Sequence, residues 1–228
     1  MAPVENSLAG SIHPVWDLLA LYAPAIAGEI YYHVRHCLIG HPGARLEDIR
    51  SVYSHPQALA QCSAFLFDLE NLDPENICAE YDTAGAVQLI KKANKKERAA
   101  IASSEAADLH EMKVLATDIQ THERNYTRFV VLGPRSQDAL QTKTTLVCTL
   151  DHTGATLPEV TAAFSSRQIP LYKAETRKLE DEPWAHRLYL ECMGDAEDAP
   201  VAAALSAIAD AVRDLTLVGS YPAAPLLP

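Results

Sequence analysis

A hydroxyl and a guanidinium stand side by side in Asn125-Tyr126-Thr127-Arg128-Phe129, at the head of the apolar run Val130-Val131-Leu132. Such a run reads as a buried strand. A buried strand does not ordinarily open with an arginine unless an anion meets it. The pentapeptide alone fits an edge strand carrying a solvated Arg128 equally well. The rest of the chain shifts the balance, because it repeatedly offers places for a small anionic ligand.

Those places are three junctions in which a short apolar run meets a small hydroxyl or carboxylate residue and then a helix. Ser51-Val52-Tyr53 leads to Ser54, which opens a helix over 55–69, with Ser54 and Gln57 at the spacing of a capping box. Ile77-Cys78-Ala79-Glu80-Tyr81 leads to Asp82-Thr83 before a helix over 84–94, and Arg98–Ala102 leads to Ser103-Ser104 before one over 105–110. Each cap satisfies orphan amides and sets a positive dipole end at the carboxyl edge of a strand. A single junction is only what any helix needs. Three in an alternating β/α chain point to a mostly parallel sheet, whose ligands lie at the strand ends. Helix N-termini lining a cleft suit a dicarboxylate. The lysines of Lys91-Lys92-Ala93-Asn94-Lys95-Lys96 read as a solvated helix end.

Around these junctions, Pro14 precedes a short helix over 15–21, and the β-formers of 26–38 make one long strand or two joined ones. His33 and His36 along that stretch face opposite ways on a strand, so a structural or solvent-facing role is favoured over metal ligation. A short strand is expected over 113–116, then the strand of 125–132. The polar stretch 133–142, broken by Gly133 and Pro134, is the expected domain boundary. Beyond it come strand 144–150, helix 157–167, strands 169–176 and 185–192, helix 200–212 and strand 215–221. The order βαββαβ describes a ferredoxin-like sandwich.

With 228 residues, 48% hydrophobic and 21% charged, the chain has the composition of a soluble globular protein of one large or two modest domains. A net charge of −11 argues against nucleic acid as a partner, but not against a small anion met by a local arginine or helix end. Five scattered cysteines without a Cys-x-x-Cys pair favour neither a disulfide framework nor a zinc site. They suggest a reducing, cytoplasmic compartment. No stretch resembles a signal peptide or is long and apolar enough to span a membrane.

Asn125-Tyr126-Thr127-Arg128-Phe129 resembles the Thr-Arg-Phe signature of the prephenate dehydratases and the closely related arogenate dehydratases. Pro3-Val4-Glu5-Asn6-Ser7, Ser54–Cys62, Asp82-Thr83-Ala84-Gly85-Ala86 and Ala100-Ile101-Ala102-Ser103 extend the resemblance over essentially the whole chain. It implies an α/β fold: a two-lobed, periplasmic-binding-protein-like catalytic domain over 1–133, then an α+β ferredoxin-like ACT regulatory domain over 143–228. The family's first βα segment has no counterpart before Pro3, so an N-terminally truncated catalytic domain is expected.

The resemblance further implies an enzyme that removes carboxylate and hydroxide from prephenate, with no metal and no cofactor. Thr127 would donate to the departing oxygen. Arg128 would pair with a carboxylate or brace the strand, and Phe129 would pack in the site. Asn6, Ser54, Gln61 and Thr83 match cleft positions, with Glu5 orienting Asn6 or a substrate hydroxyl. Thr121 stands where the family commonly has an acidic residue, which weakens any proton relay through that position. In the second domain, Gly154, Ala155, Thr156 and Leu157 occupy the place of the loop that contacts L-phenylalanine. Glu175 and Arg177 stand in the partner motif. Thr156 replaces a leucine there and Lys178 a proline, which implies weaker phenylalanine binding. A homodimer or homotetramer is expected, and a non-catalytic phenylalanine-binding protein is the alternative from a different class.

Overall fold

The computed structural model describes residues 1–134, 141–150, 156–179 and 181–225. In chain order these form β1 (Ala2–Asn6), β2 (Gly10–Ser11), α1 (His13–Tyr22), β3 (Ile26–His33), β4 (Cys37–Gly40), β5 (Ser51–Ser54), α2 (Pro56–Gln61), α3 (Ser63–Phe67), β6 (Ile77–Ala79) and α4 (Thr83–Ala93). Then follow β7 (Arg98–Ala102), α5 (Ser104–Leu109), β8 (Lys113–Ala116), β9 (Tyr126–Leu132), β10 (Thr142–Leu150), α6 (Leu157–Ser165), β11 (Leu171–Lys178), β12 (His186–Met193), α7 (Ala199–Ala209) and β13 (Arg213–Pro222).

Contacts divide the chain into Met1–Tyr32 with Tyr126–Pro228, and His33–Asn125. This division does not follow the boundary placed at 133–142. The first strands of the chain belong with the C-terminal sandwich. The stretch over 26–38 is two strands: β3 lies in one sheet and β4 in another.

The unit His33–Asn125 is built on a five-stranded sheet in the order β6-β5-β7-β4-β8. β5 runs parallel to both β6 and β7, whereas β4 is antiparallel to both β7 and β8. The sheet is therefore half parallel, not mostly so, because β4 enters against the direction of its neighbours. β7, apolar and buried from Ala99 to Ala102, is covered on both faces. Ala86, Val87 and Ile90 of α4 pack on one face, and Ala58, Cys62 and Leu66 on the other.

The unit of Met1–Tyr32 and Tyr126–Pro228 carries two sheets. The first has the order β2-β1-β9-β3. The second, β11-β12-β10-β13, is antiparallel at each junction and realises the ferredoxin-like βαββαβ order. One face of this second sheet buries Val160 and Phe164 of α6 and Val201, Ala204 and Ile208 of α7. Its other face meets the first sheet and α1 through Val4, Trp16, Leu19, Val130, Val147, Tyr189 and Tyr221. The β-branched, all-buried run of β10 suits a strand enclosed on both sides.

Candidate active site

β1 and β9 are antiparallel neighbours, with Asn6 opposite Thr127, Glu5 opposite Arg128 and Pro3 opposite Phe129. Two motifs more than a hundred residues apart in sequence thus form one ladder. Asn6 is buried, and its Nδ2 donates to Thr127 Oγ1 at 3.1 Å and to the Tyr126 carbonyl at 3.1 Å. Its Oδ1 accepts from the Leu8 and Ala9 amides at 3.0 and 2.9 Å, closing the turn into β2. Because the Thr127 oxygen already accepts, its own O–H remains a donor for another group, polarised by the bond it receives.

Strand alternation sends Thr127 and Phe129, both half-buried, to the face of the sheet opposite Arg128 and Val130. Arg128 faces the sandwich sheet and is buried among carboxylates. Its Nη1 lies 2.8 Å from Glu191 and 3.2 Å from Glu29, and its Nη2 lies 3.3 Å from Glu5. The guanidinium also stands over the Trp16 ring at 5.7 Å. Burial opposes the Arg128 charge, but Glu191 and Glu29 more than offset it and raise its pKa. Burial likewise opposes ionisation of Glu191, yet Arg128 and Lys143 hold its carboxyl below the ordinary range. Arg128 is thus engaged by carboxylates of the protein itself.

A cavity of about 420 Å³ opens at the ends of β1 and β9, lined by Glu5, Asn6, Ser7, Gly10, Tyr31, Tyr126 and Arg128. Thr127 is not among its lining residues and is joined to it through Asn6. Burial and the nearby Glu29 push the Tyr31 hydroxyl up to about 12, so it stays a neutral donor.

The other expected substrate residues lie in the unit His33–Asn125. Ser54 is fully buried and donates to the Ile101 carbonyl at 2.6 Å. It does not cap the following helix. His55 does, its Nδ1 accepting from the Gln57 amide at 3.2 Å, because Pro56 starts the helix one residue later than the Ser-x-x-Gln spacing suggests. The single helix expected over 55–69 is two short ones, divided at Cys62.

Gln61, the last residue of α2, pairs through Oε1 with His36 Nε2 at 2.8 Å. Thr83 is the first residue of α4, which Asp82 caps by accepting from the Gly85 amide at 2.5 Å. A Cβ at position 85 would lie 2.7 Å from Asp82 Oδ2, which accounts for the glycine. Ser103 caps α5 as expected, accepting from the Ala106 amide at 3.4 Å.

Of the expected effector residues, Gly154 and Ala155 lie outside the described residues. Thr156 caps α6 from the position before it, where Glu159 accepts from both its amide and its hydroxyl, at 2.7 and 2.8 Å; Leu157 packs on the sandwich core. Glu175 and Arg177 share the half-buried face of β11 with Lys173. Glu175 accepts from Ser11 at 2.5 Å, contacts His13 at 2.7 Å and pairs with Lys173 at 2.7 Å, while Arg177 pairs with Asp17 at 2.7 Å. Lys173 also bonds Ser11 and reaches Glu5 at 3.5 Å.

Sequence reasoning passed over Glu29, Lys143, Lys173 and Glu191. The signal was there for Glu191, a carboxylate within the otherwise apolar stretch Leu188–Met193, where a buried cation is required. Among the described residues no cluster of His, Cys, Asp and Glu is placed to hold a metal.

The sequence profile of the family described as prephenate dehydratase matches residues 1–137. The chain belongs to the prephenate dehydratase family. It is 37% identical over 234 residues to arogenate dehydratase/prephenate dehydratase 2, chloroplastic, of Arabidopsis thaliana, an alignment covering 96% of this chain and 60% of that one. It is 29% identical to the bifunctional chorismate mutase/prephenate dehydratase of Enterobacter agglomerans, over 99% of this chain and 58% of the other. The chain thus spans well under two thirds of the length of these relatives.

Among solved structures, the prephenate dehydratase of Arthrobacter aurescens in complex with L-Phe superposes with a TM-score of 0.82 at 26% identity, covering 97% of this chain and 73% of that one. GqqA, a quorum-quenching acylase, superposes at 0.84 with 30% identity, covering 98% and 81%.

Proposed function

We propose that this prephenate dehydratase family member is a carbon–oxygen lyase that converts prephenate to phenylpyruvate. The observation that carries the reading is the Asn6 amide donating to the Thr127 hydroxyl at 3.1 Å, which leaves the Thr127 O–H available as a donor. In the reaction the ring carbon–oxygen bond breaks and the ring carboxylate leaves as carbon dioxide. The electron pair of the broken carbon–carbon bond enters the ring, and hydroxide departs as water once a proton reaches it. Aromatisation supplies the driving force, so the protein needs mainly to hydrogen-bond the departing oxygen and hold the anion in place. Thr127 serves as that positioned donor. The proton that completes the water comes by way of solvent, since a threonine hydroxyl is too weak an acid to give up its own. Asn6 and Glu5 orient the substrate's hydroxyl end, and Phe129 shields the site.

The plant relatives favour a second substrate, arogenate, which carries an ammonium where prephenate has a ketone. The likeness to an acylase favours a third reaction, acyl-bond hydrolysis. Incubating the chain in parallel with prephenate, arogenate and an acylated amine, and following phenylpyruvate, phenylalanine and free acid, separates the three.

The reading extends to the whole protein. A two-lobed, periplasmic-binding-protein-like catalytic domain over 1–133 precedes an ACT domain over 143–228 that binds L-phenylalanine as feedback effector. The likeness to a prephenate dehydratase bound to L-Phe supports this. Homodimers or homotetramers form through the ACT sheet edges. The reducing cytoplasm is the proposed compartment, in keeping with the five free cysteines, four of them buried. Among the described residues, no helix is long and apolar enough to cross a membrane.

A further inference from the structure

We infer that Glu191, on the sandwich strand β12, is a positioning residue for the Thr127 hydroxyl on β9. The inference rests on the dehydratase reading of Thr127. Arg128 is adjacent to Thr127 in sequence and opposite to it across the sheet. Its hydrogen bonds run through Nη1 to Glu191 and Glu29, because Nε and Nη2 have no hydrogen-bond acceptor among the described residues. Glu191 gives the shorter contact, 2.8 Å against 3.2 Å.

Glu191 is itself held. The Tyr221 and Thr145 hydroxyls each lie 3.1 Å from its Oε1 and 2.7 Å from one another, and with one proton apiece at least one of them donates to the carboxylate. The carboxylate is 1% exposed and has no freedom to follow Arg128 should β9 shift. A guanidinium pinned on one face of a strand fixes the rotation of that strand, and a one-residue change of facing exchanges the two faces. The sandwich therefore sets the direction in which Thr127 presents its hydroxyl.

The test compares the full-length Glu191→Gln, Tyr221→Phe and Val160→Ala chains in a dehydratase assay, below the lowest melting temperature of the three. Val160 lies in the helix-side core of the sandwich, away from the network, and serves as the stability-matched control. The expected result for Glu191→Gln is a kcat lower by about tenfold with KM within about twofold, the pattern of an interaction felt in the transition state. Val160→Ala keeps kcat despite a similar loss of melting temperature. If Glu191→Gln does not fold, Tyr221→Phe decides: a two- to threefold lower kcat upholds the inference and an unchanged one overturns it. A folded Glu191→Gln with wild-type kcat overturns it, as does a Val160→Ala chain equally slowed. Absence of turnover in the unaltered chain, on prephenate and on arogenate alike, fails the dehydratase reading and with it this inference. Turnover in the unaltered chain beside an unchanged Glu191→Gln fails the inference alone.

Discussion

Asn6 and Thr127, 121 residues apart, face each other across two antiparallel strands, and the Asn6 amide donates to the Thr127 hydroxyl at 3.1 Å. Asn6 does two jobs with two ends of one side chain: Nδ2 orients Thr127, and Oδ1 closes the turn at Leu8 and Ala9. Replacement by Asp keeps the acceptor and removes the donor. Asn6→Asp is expected to fold and to lose turnover by more than tenfold. Asn6→Ala loses both functions, at a stability cost of about 1–3 kcal/mol for the buried groups left unpaired. Melting curves beside kcat for the two variants check this; equal turnover in wild type and Asn6→Asp would remove Asn6 from the positioning role.

Arg128 neutralises a set of carboxylates that the fold has already buried. Removing the cation leaves Glu191 and Glu29 to Lys143, which lies 2.8 Å from Glu29, and to the weaker influence of Lys173. Arg128→Met should therefore cost about 3–5 kcal/mol, the usual penalty of an uncompensated buried charge. Urea unfolding measures it, and a loss under about 1 kcal/mol would show that the network is not as closed as described.

Acid stability follows from Glu175. Burial opposes its charge, but bonds from Lys173, Ser11 and His13 outweigh burial and lower its pKa from 4.5 to about 2. The unfolded chain thus binds this proton more readily than the native one. Stability from this group is complete above about 4.5 and disappears as the pH falls towards about 2. The exposed Glu159, held by Thr156, acts in the same direction. Glu175→Gln should flatten the melting-temperature profile in that window; an unchanged slope would contradict the assignment.

Phenylalanine binding offers a further check. Glu175 and Arg177 are engaged by Ser11, His13 and Asp17, so an effector that uses them must compete with those contacts. By resemblance Thr156 stands in the place of a leucine, and its hydroxyl donates to Glu159 at 2.8 Å. Restoring Thr156→Leu should tighten phenylalanine binding by roughly tenfold, on the order of 1–2 kcal/mol of buried apolar surface. Calorimetry on the full chain reads this. No heat of binding in either chain would remove phenylalanine as effector.

Much of this architecture was legible from local pattern. The βαββαβ order, the caps at Asp82 and Ser103, and the strand at 126–132 follow from periodicity and hydroxyl placement, which depend on neighbours in sequence. What was not legible depends on neighbours in space. The alternating β/α pattern implied a mostly parallel sheet, but strand direction is set by where β4 returns, not by its composition. Ser54 has the sequence of a cap, yet Pro56 moves the helix start and turns Ser54 inward. The contact of Arg128 with Glu191, 63 residues away in β12, has no signal in the sequence around either residue. The pairing of Pro3–Asn6 with Thr127–Phe129 was not read from the sequence, since no local signal ties one strand to a partner so distant.

The most direct test of the account is steady-state turnover of prephenate and arogenate by the unaltered chain, Thr127→Ala and Thr127→Ser, with circular dichroism to confirm folding. The account predicts turnover of one substrate by the unaltered chain, a loss of at least about a hundredfold in a folded Thr127→Ala, and partial recovery in Thr127→Ser, which restores the donor. A Thr127→Ala chain that turns over as fast as wild type would contradict it.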